Sequence, residues 1–370
     1  MSRTARIVYV VLSPTFGMHQ YAADLAAQTL AAGCEVHLVT TRGYPADRYQ
    51  PAVTVHTPVL QRGTGFNKDG MAPGQFMATL RTIRQLRPTV VHFAAAHLWN
   101  PLLLIALRGA GIPAVHTLHD LDPHPDVRHG GLIRWWNRAV IAGAAHLLVH
   151  AAVTRRTLLS RGVQPATVTA APLSHSFLGW ERDRQLQATR PAVVYEPWVL
   201  FFGRLHTYKG IDVLLRAAQL AAVTRTAPWL VLAGAGDLAA IWPHPLPPGV
   251  VDHRERIDDA TGWDYFRRCS LLVLPYTGAS QSALPAVAYA FAKPTLVSDS
   301  GALPEVVIPE QTGWVTPAGD AAALAEQLRT ALRRPHQIER MGRNGRAWYE
   351  AQRCAQAEML ATLYRRLASQ

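Results

Sequence analysis

The sequence predicts an α/β chain folded as two doubly wound parallel sheets, and three observations carry that prediction. Short apolar runs rich in β-branched residues recur from end to end, each followed by a stretch of helical periodicity. The runs are near-continuous rather than alternating, which is the signature of parallel strands covered on both faces. The chain is 370 residues long, 49% hydrophobic and 17% charged, enough for two cores at about 150 residues each.

In the first half the strands are "RIVYVVL" (6–12), "EVHLVTT" (35–41), "TVVHFAA" (89–95), "IPAVHTLHD" (112–120), "AHLLVHA" (145–151) and "TVTAAP" (167–172), with an amphipathic segment at 17–32 and further helical stretches between them. In the second half they are "PWVLFFG" (197–203), "APWLVLAG" (227–234), "SLLVLPY" (270–276), "PTLVSD" (294–299) and "GWVTPA" (313–318). The polar stretch 181–197 is the best boundary. The expected domains are therefore 1–185 and 195–352, with a C-terminal helix at about 353–370 packing back on the first. Helical segments fill 319–369, with a break expected near Gly345. Two such sheets facing each other bind ligands in the cleft beyond the carboxyl ends of their strands.

Composition narrows the function. Cys34, Cys269 and Cys354 are far apart with no CxxC spacing, which argues against a disulfide framework or structural zinc and fits a reducing compartment. No cleavage-site pattern follows the first apolar run, and no run reaches about 18 apolar residues. A cytoplasmic protein is expected. The net charge of +12 calls for an anionic partner. Its cations are dispersed, with no basic block or RNP-like aromatic pattern, so nucleic acid is not that partner. Only Lys68, Lys209 and Lys293 are lysines, among 37 basic residues.

The chemistry lies just after strands. In "FFGRLHTYKGIDVLLR" (201–216) Arg204 and Lys209 flank a loop that opens an amphipathic helix, a natural diphosphate site. A second loop, "PYTGASQSALPAVAYAFAKP" (275–294), runs through small polar residues into a helix, with Ser280 and Ser282 as expected N-caps and Pro285 in the first turn. A third, "SDSGALPEVV" (298–307), repeats the pattern with Gly301 before Pro304 and Glu305. Three helix N-termini at one sheet edge predict a nucleotide-diphosphate pocket. The Gly-rich turn "AGAGD" (233–237) is uninformative alone.

Together, "FFGRL…KGIDVLLRAA", "LVLAGAGD" and "LPY…SQSALPAVAYAFAKPTLVSDSGALPEVV…TGWVTPAGDAAALAEQL" resemble the second domain of the family 4 retaining glycosyltransferases, two-domain enzymes of the Rossmann-like GT-B fold. The resemblance is close over 198–330 and looser in the first half, through the Gly17 loop and "HTLHDLDPHP" (116–125). It implies transfer of a sugar from a nucleotide-diphosphate donor to a glycan, lipid-linked or small-molecule acceptor, with retention and without metal or other cofactor. Carried onto this sequence, Gly203, Arg204 and Lys209 cradle the diphosphate and Arg256 and Ile257 lie near the base. Ser280, Gln281, Ser282 and Ala283 hold phosphate and sugar, with Gly17, Gly301 and Glu305 also at the donor, and His119 facing the sugar. The family's two glutamates, seven residues apart, are replaced here by Ala279 and Val287. Gln281 and Ser282 are expected to supply the polar contacts instead.

Alternatives to retention are an inverting transferase with His19 or Asp120 as base, or a non-catalytic nucleotide- or glycan-binding homologue. The run "HTLHDLDPHPDVRH" (116–129) has metal-ligand residue types, but its prolines disfavour an aligned ligand set, and no metal is expected. Loop 61–76 is Gly-rich and a candidate acceptor lining. The tryptophans of "LIRWWNRAVIAGAA" (132–145) beside arginines are a candidate contact with an anionic membrane.

Overall fold

The computed structural model describes residues 5–60, 72–121, 130–189, 194–221, 229–278 and 281–369. The chain divides into two compact units: Met1–Pro172 with Phe177–Gln185 and Cys354–Gln370, and Leu173–Ser176 with Leu186–Arg353.

The first unit is built on seven parallel strands: β1 (Arg6–Val11), β2 (Glu35–Thr41), β3 (Thr54–Val59), β4 (Val90–Phe93), β5 (Ala114–Thr117), β6 (His146–Val149) and β7 (Val168–Ala170). Their order is β3-β2-β1-β4-β5-β6-β7, so the direction of winding switches between β1 and β4. Helices α1 (Phe16–Ala31), α2 (Pro73–Gln85), α3 (Asn100–Gly109), α4 (Gly130–Gly143) and α5 (Ala152–Ser160) cover the sheet, and α6 (Trp180–Thr189) lies within the polar stretch that marks the boundary. Val8, Val10, Val91 and Phe93 pack with Leu103, Leu104, Leu107 and Val140 in one core.

The second unit has six parallel strands: β8 (Val199–Phe202), β9 (Leu230–Ala233), β10 (Val250–His253), β11 (Leu271–Leu274), β12 (Thr295–Ser298) and β13 (Gly313–Thr316). The order β10-β9-β8-β11-β12-β13 places the switch between β8 and β11. The strands are fed by α7 (Ile211–Ala221), α8 (Leu238–Ile241), α9 (Asp259–Arg268), α10 (Leu284–Ala290) and α11 (Ala321–Leu332).

The strands β3 and β10 are absent from the sequence-based expectation, and both are sheet edges. Their residues are mostly half-exposed rather than buried runs, and β3 carries Pro58, tolerated only where one flank needs no hydrogen bonds.

The expected break near Gly345 is a correction: α12 (Pro335–Ala368) runs unbroken through it. The glycines there serve close approach. A Cβ at Gly342 would collide with the Ala292 carbonyl, and one at Gly345 with the Tyr289 ring. A helix seated this tightly tolerates the propensity cost of glycine, about 1 kcal/mol each.

The last turns of α12 belong to the first unit and plug into a buried polar network. The Tyr364 hydroxyl lies 2.9 Å from that of Tyr9 and 2.6 Å from His92 Nδ1. His92 Nε2 reaches Thr117 Oγ1 at 2.8 Å, and Tyr21 joins the same threonine at 3.1 Å. Hydrogen bonds among fully buried groups of this kind fix one arrangement, because a missing partner leaves an unsatisfied polar atom.

Candidate active site

The loops after β8 and β11 sit side by side at the switch point of the second sheet, where doubly wound folds open a ligand crevice. Their contact is backbone to backbone. Thr277 N and Gly278 N both donate to the Tyr208 carbonyl, at 2.8 and 3.2 Å. Gly210 adopts a left-handed φ of 64°, and a Cβ there would collide with the Pro275 carbonyl. Only glycine allows both the turn and the approach.

Lys209 ends a single 3₁₀ turn (Thr207–Lys209) between β8 and α7. Its ammonium folds back over Gly203, where φ is 116° and a Cβ would lie 2.8 Å from Nζ, and rests 5.5 Å from the centre of the Tyr276 ring. Lys209 is half-buried and pairs with no carboxylate among the described residues. Burial first, and the Arg204 charge second, pull its pKa down to about 8. Arg204 beside it is exposed and likewise makes no ion pair among the described residues. Two adjacent cations, one desolvated, are costly unless an anion completes them.

The loop into α10 differs in detail from expectation. The N-cap is Ala283, with no side-chain cap bond, so Ser282 does not hold that position. Ser280 and Ala279 lie outside the described residues. Ser282 Oγ accepts from Leu284 N at 3.2 Å and hydrogen-bonds the buried Tyr276, while Gln281 is half-buried. Val287 is buried in the core and offers no acceptor. Beyond Gly301 the chain makes only a 3₁₀ turn (Leu303–Val306) containing an exposed Glu305. The expected third helix N-terminus is thus one turn, too short for a helix dipole. After β10, Arg256 is exposed and Ile257 half-buried. The "AGAGD" turn has a packing cause: a Cβ at Gly234 would strike the Gly203 carbonyl, and one at Gly236 would meet Leu205.

In the first unit, Gly17 is exposed at the start of α1, with nothing within 4 Å of a Cβ. His19, one turn in, is fully buried, with Nδ1 2.8 Å from the Tyr49 hydroxyl and no hydrogen bond at Nε2. Burial draws its pKa down to about 4, against an opposing contribution from the Ser13 backbone. His119 follows β5 and has both nitrogens engaged. A carbonyl can only accept, so Nε2 donates to Ala94 O at 2.9 Å, and Nδ1 faces His150 Nε2 at 3.1 Å. Burial lowers the His119 pKa, with the Ala94 carbonyl and then Asp120 opposing. Asp120 is exposed. Most of the 116–129 histidine–aspartate run and of loop 61–76 lies outside the described residues. Among the described residues no three His, Cys, Asp or Glu side chains are grouped to hold a metal ion.

Two family models match this chain, Glycosyltransferase Family 4 over residues 17–173 and Glycosyl transferases group 1 over residues 196–334. The chain belongs to the family 4 glycosyltransferases. It is 26% identical to a D-inositol 3-phosphate glycosyltransferase of Arthrobacter sp. (strain FB24), over 88% of this chain and 84% of that one. It is 27% identical to a GDP-mannose:glycolipid 4-beta-D-mannosyltransferase of Xanthomonas campestris pv. campestris, over 63% and 65%. The fold matches sucrose-phosphate synthase of Thermosynechococcus elongatus with a TM-score of 0.75 at 21% identity, covering 99% of each chain. It also matches Anabaena HepE in complex with UDP, with a TM-score of 0.69 at 16% identity over 96% and 100%. The architecture is GT-B.

In this glycosyltransferase the sequence reading missed three neighbours of the named residues. Tyr276 lies under Lys209, Tyr208 supplies the carbonyl that joins the two loops, and His150 fixes the His119 ring. An aromatic or histidine just after a strand has no distinguishing pattern, so only the fold reveals these roles.

Proposed function

We propose that this nucleotide-sugar-dependent glycosyltransferase transfers a hexosyl group with retention of anomeric configuration, without a metal ion, to a hydroxyl of a glycan, lipid-linked or small-molecule acceptor. The reading is of a cytoplasmic enzyme that also touches an anionic membrane at its inner face. One observation carries the donor assignment: the half-buried Lys209, with no counter-ion among the described residues and beside Arg204, at the switch point of the second sheet.

In the reaction the acceptor oxygen bonds to the anomeric carbon as the bond from that carbon to the diphosphate oxygen breaks. The electron pair leaves with the diphosphate, where Arg204 and Lys209 stabilise the developing charge. The acceptor proton passes to a donor phosphate oxygen on the same face. That route is favoured over His19 as base because an imidazole with a pKa of about 4 is a weak proton acceptor at neutral pH.

The test is the stereochemistry of the product by proton NMR, with a panel of nucleotide sugars that starts from GDP-mannose, the donor in the name of the Xanthomonas relative. An α-linked donor is expected to yield an α-linked product. A β-linked product would move the assignment to the inverting reading, and binding without turnover to a non-catalytic role.

A further inference from the structure

Between residues 130 and 180 the chain carries five arginines (134, 138, 155, 156 and 161) and not one acidic residue. The helix α4 opens this stretch and carries the first two of those arginines. At 3.6 residues per turn, Arg134, Arg138, Trp135 and Leu132 follow one another round about 160° of its circumference. Trp135 is 61% exposed and Leu132 45%. The other side of the helix is anchored: Trp136 donates from Nε1 to His97 O at 3.0 Å, and Val140 is core. The adjacent tryptophans therefore divide, one fastening the helix and one presented to solvent.

The neighbouring helix extends the surface. A Cβ added at Gly143 of α4 would stand 3.2 Å from Leu104 Cβ of α3, whose Leu102 and Ile105 are 56% and 64% exposed, with Arg108 exposed one turn on. On its other side α4 borders a cavity of about 540 Å³, lined by Arg134, Arg138 and Arg161 together with Leu121, Ile141 and Val163. Arg134 and Arg138 make no ion pair or hydrogen bond among the described residues. The exposed side chains of this surface are cations and hydrocarbons, with no acceptor among those named.

We propose that α3 and α4 form a membrane-facing surface, with the arginine-lined cavity holding the phosphate of an anionic lipid. Guanidinium groups match phosphate geometry, and the apolar lining suits the first carbons of a lipid tail. An exposed tryptophan between arginines and aliphatic side chains suits the bilayer interface, and the unbalanced positive charge suits an anionic headgroup layer. No described helix is long and apolar enough to cross a membrane, so contact at the surface is the mode this patch serves. The lipid occupant rests on the membrane contact proposed above, whereas the transfer chemistry does not depend on it.

The experiment is co-sedimentation of the full chain with vesicles of phosphatidylcholine containing about one-third phosphatidylglycerol, and with phosphatidylcholine alone. Wild type, Arg134→Ala/Arg138→Ala and Trp135→Ala are compared, and transfer to a soluble acceptor is measured in parallel. Wild type is expected to bind the anionic vesicles and not the neutral ones. Removing both arginines is expected to weaken binding about thirtyfold, and removing Trp135 to weaken it severalfold, with soluble transfer unchanged. If wild type binds and the variants bind equally, this surface is wrong and membrane contact stands elsewhere. If wild type fails to bind anionic vesicles, membrane contact and surface fall together. Displacement of the vesicles by millimolar inorganic phosphate would assign the cavity to a free anion and overturn the lipid.

Discussion

Lys209→Ala is expected to lower kcat for sugar transfer by about 10²–10³-fold, the usual cost of removing one group that stabilises transition-state charge. The reason is geometric. The ammonium is held over Gly203 and the Tyr276 ring, at the mouth of the loop after β8. Its titration gives the same prediction a second readout. With a pKa of about 8 the lysine is charged at pH 7 and loses its proton as pH rises past 8, so kcat/KM of the wild type falls on the alkaline side. A bound diphosphate raises that pKa, which moves the corresponding limb of kcat to higher pH. In Lys209→Arg, which cannot deprotonate, the alkaline limb in kcat/KM is expected to disappear even though the rate is low. A pH profile unchanged by that substitution would show that Lys209 is not the titrating group.

The second large effect is acid sensitivity of the first unit. Burial draws the pKa of His19, His97 and His146 to about 4, and burial together with His119 draws His116 to about 3. Arg366 adds to the depression at His146. Each folded value lies below the unfolded one of about 6.5, so the unfolded chain takes up the proton first as pH falls. The stability is therefore fully present above about pH 7 and is lost as pH falls from about 6.5 to 4, and to 3 for His116. Near pH 5 four such imidazoles imply a slope of up to about 5 kcal/mol per pH unit. Urea unfolding at pH 7, 6 and 5 measures that slope directly. A flat profile over this interval would mean that the histidines are protonated in the folded chain or reached by water.

The fold class was legible because parallel strands buried on both faces leave continuous apolar runs, as at "VLFF" and "LLVL". The edge strands β3 and β10 escaped because a half-exposed edge leaves no such run. Glycine was the most ambiguous letter. Gly345 reads locally as a helix breaker, yet it seats a continuous helix against Tyr289, and that pressure comes from a residue 56 positions away. Scarcity of lysine was a partial guide. Lys209 is a half-buried cation at the switch point, whereas Lys293 is fully buried and structural, donating to the Val194 carbonyl and lying 4.2 Å from the Tyr195 ring centre. Two lysines with pKa values drawn down to about 8 differ in whether the chain itself supplies an oxygen, and sequence does not record that difference.

The proposed donor site is marked in the sequence by Arg204 and Lys209, a cation pair at a strand–helix junction, with Gly203 and Gly210 beside them. Its finer contacts were not. Capping at α10 falls on Ala283 because Ser282 turns its hydroxyl toward Leu284 N and Tyr276, a choice made by the buried tyrosine rather than by local propensity.

The central claim is that the loops after β8 and β11 bind the donor diphosphate. It is tested most directly by thermal unfolding of wild type and Arg204→Ala/Lys209→Ala with UDP, GDP and ADP and with the bare nucleosides. One nucleotide is expected to stabilise the wild type by about 2.7 kcal/mol at a hundred times its dissociation constant. That stabilisation should vanish in the double variant and be absent for the nucleoside. A nucleotide shift of equal size in both proteins would contradict the claim and place the diphosphate elsewhere in the chain.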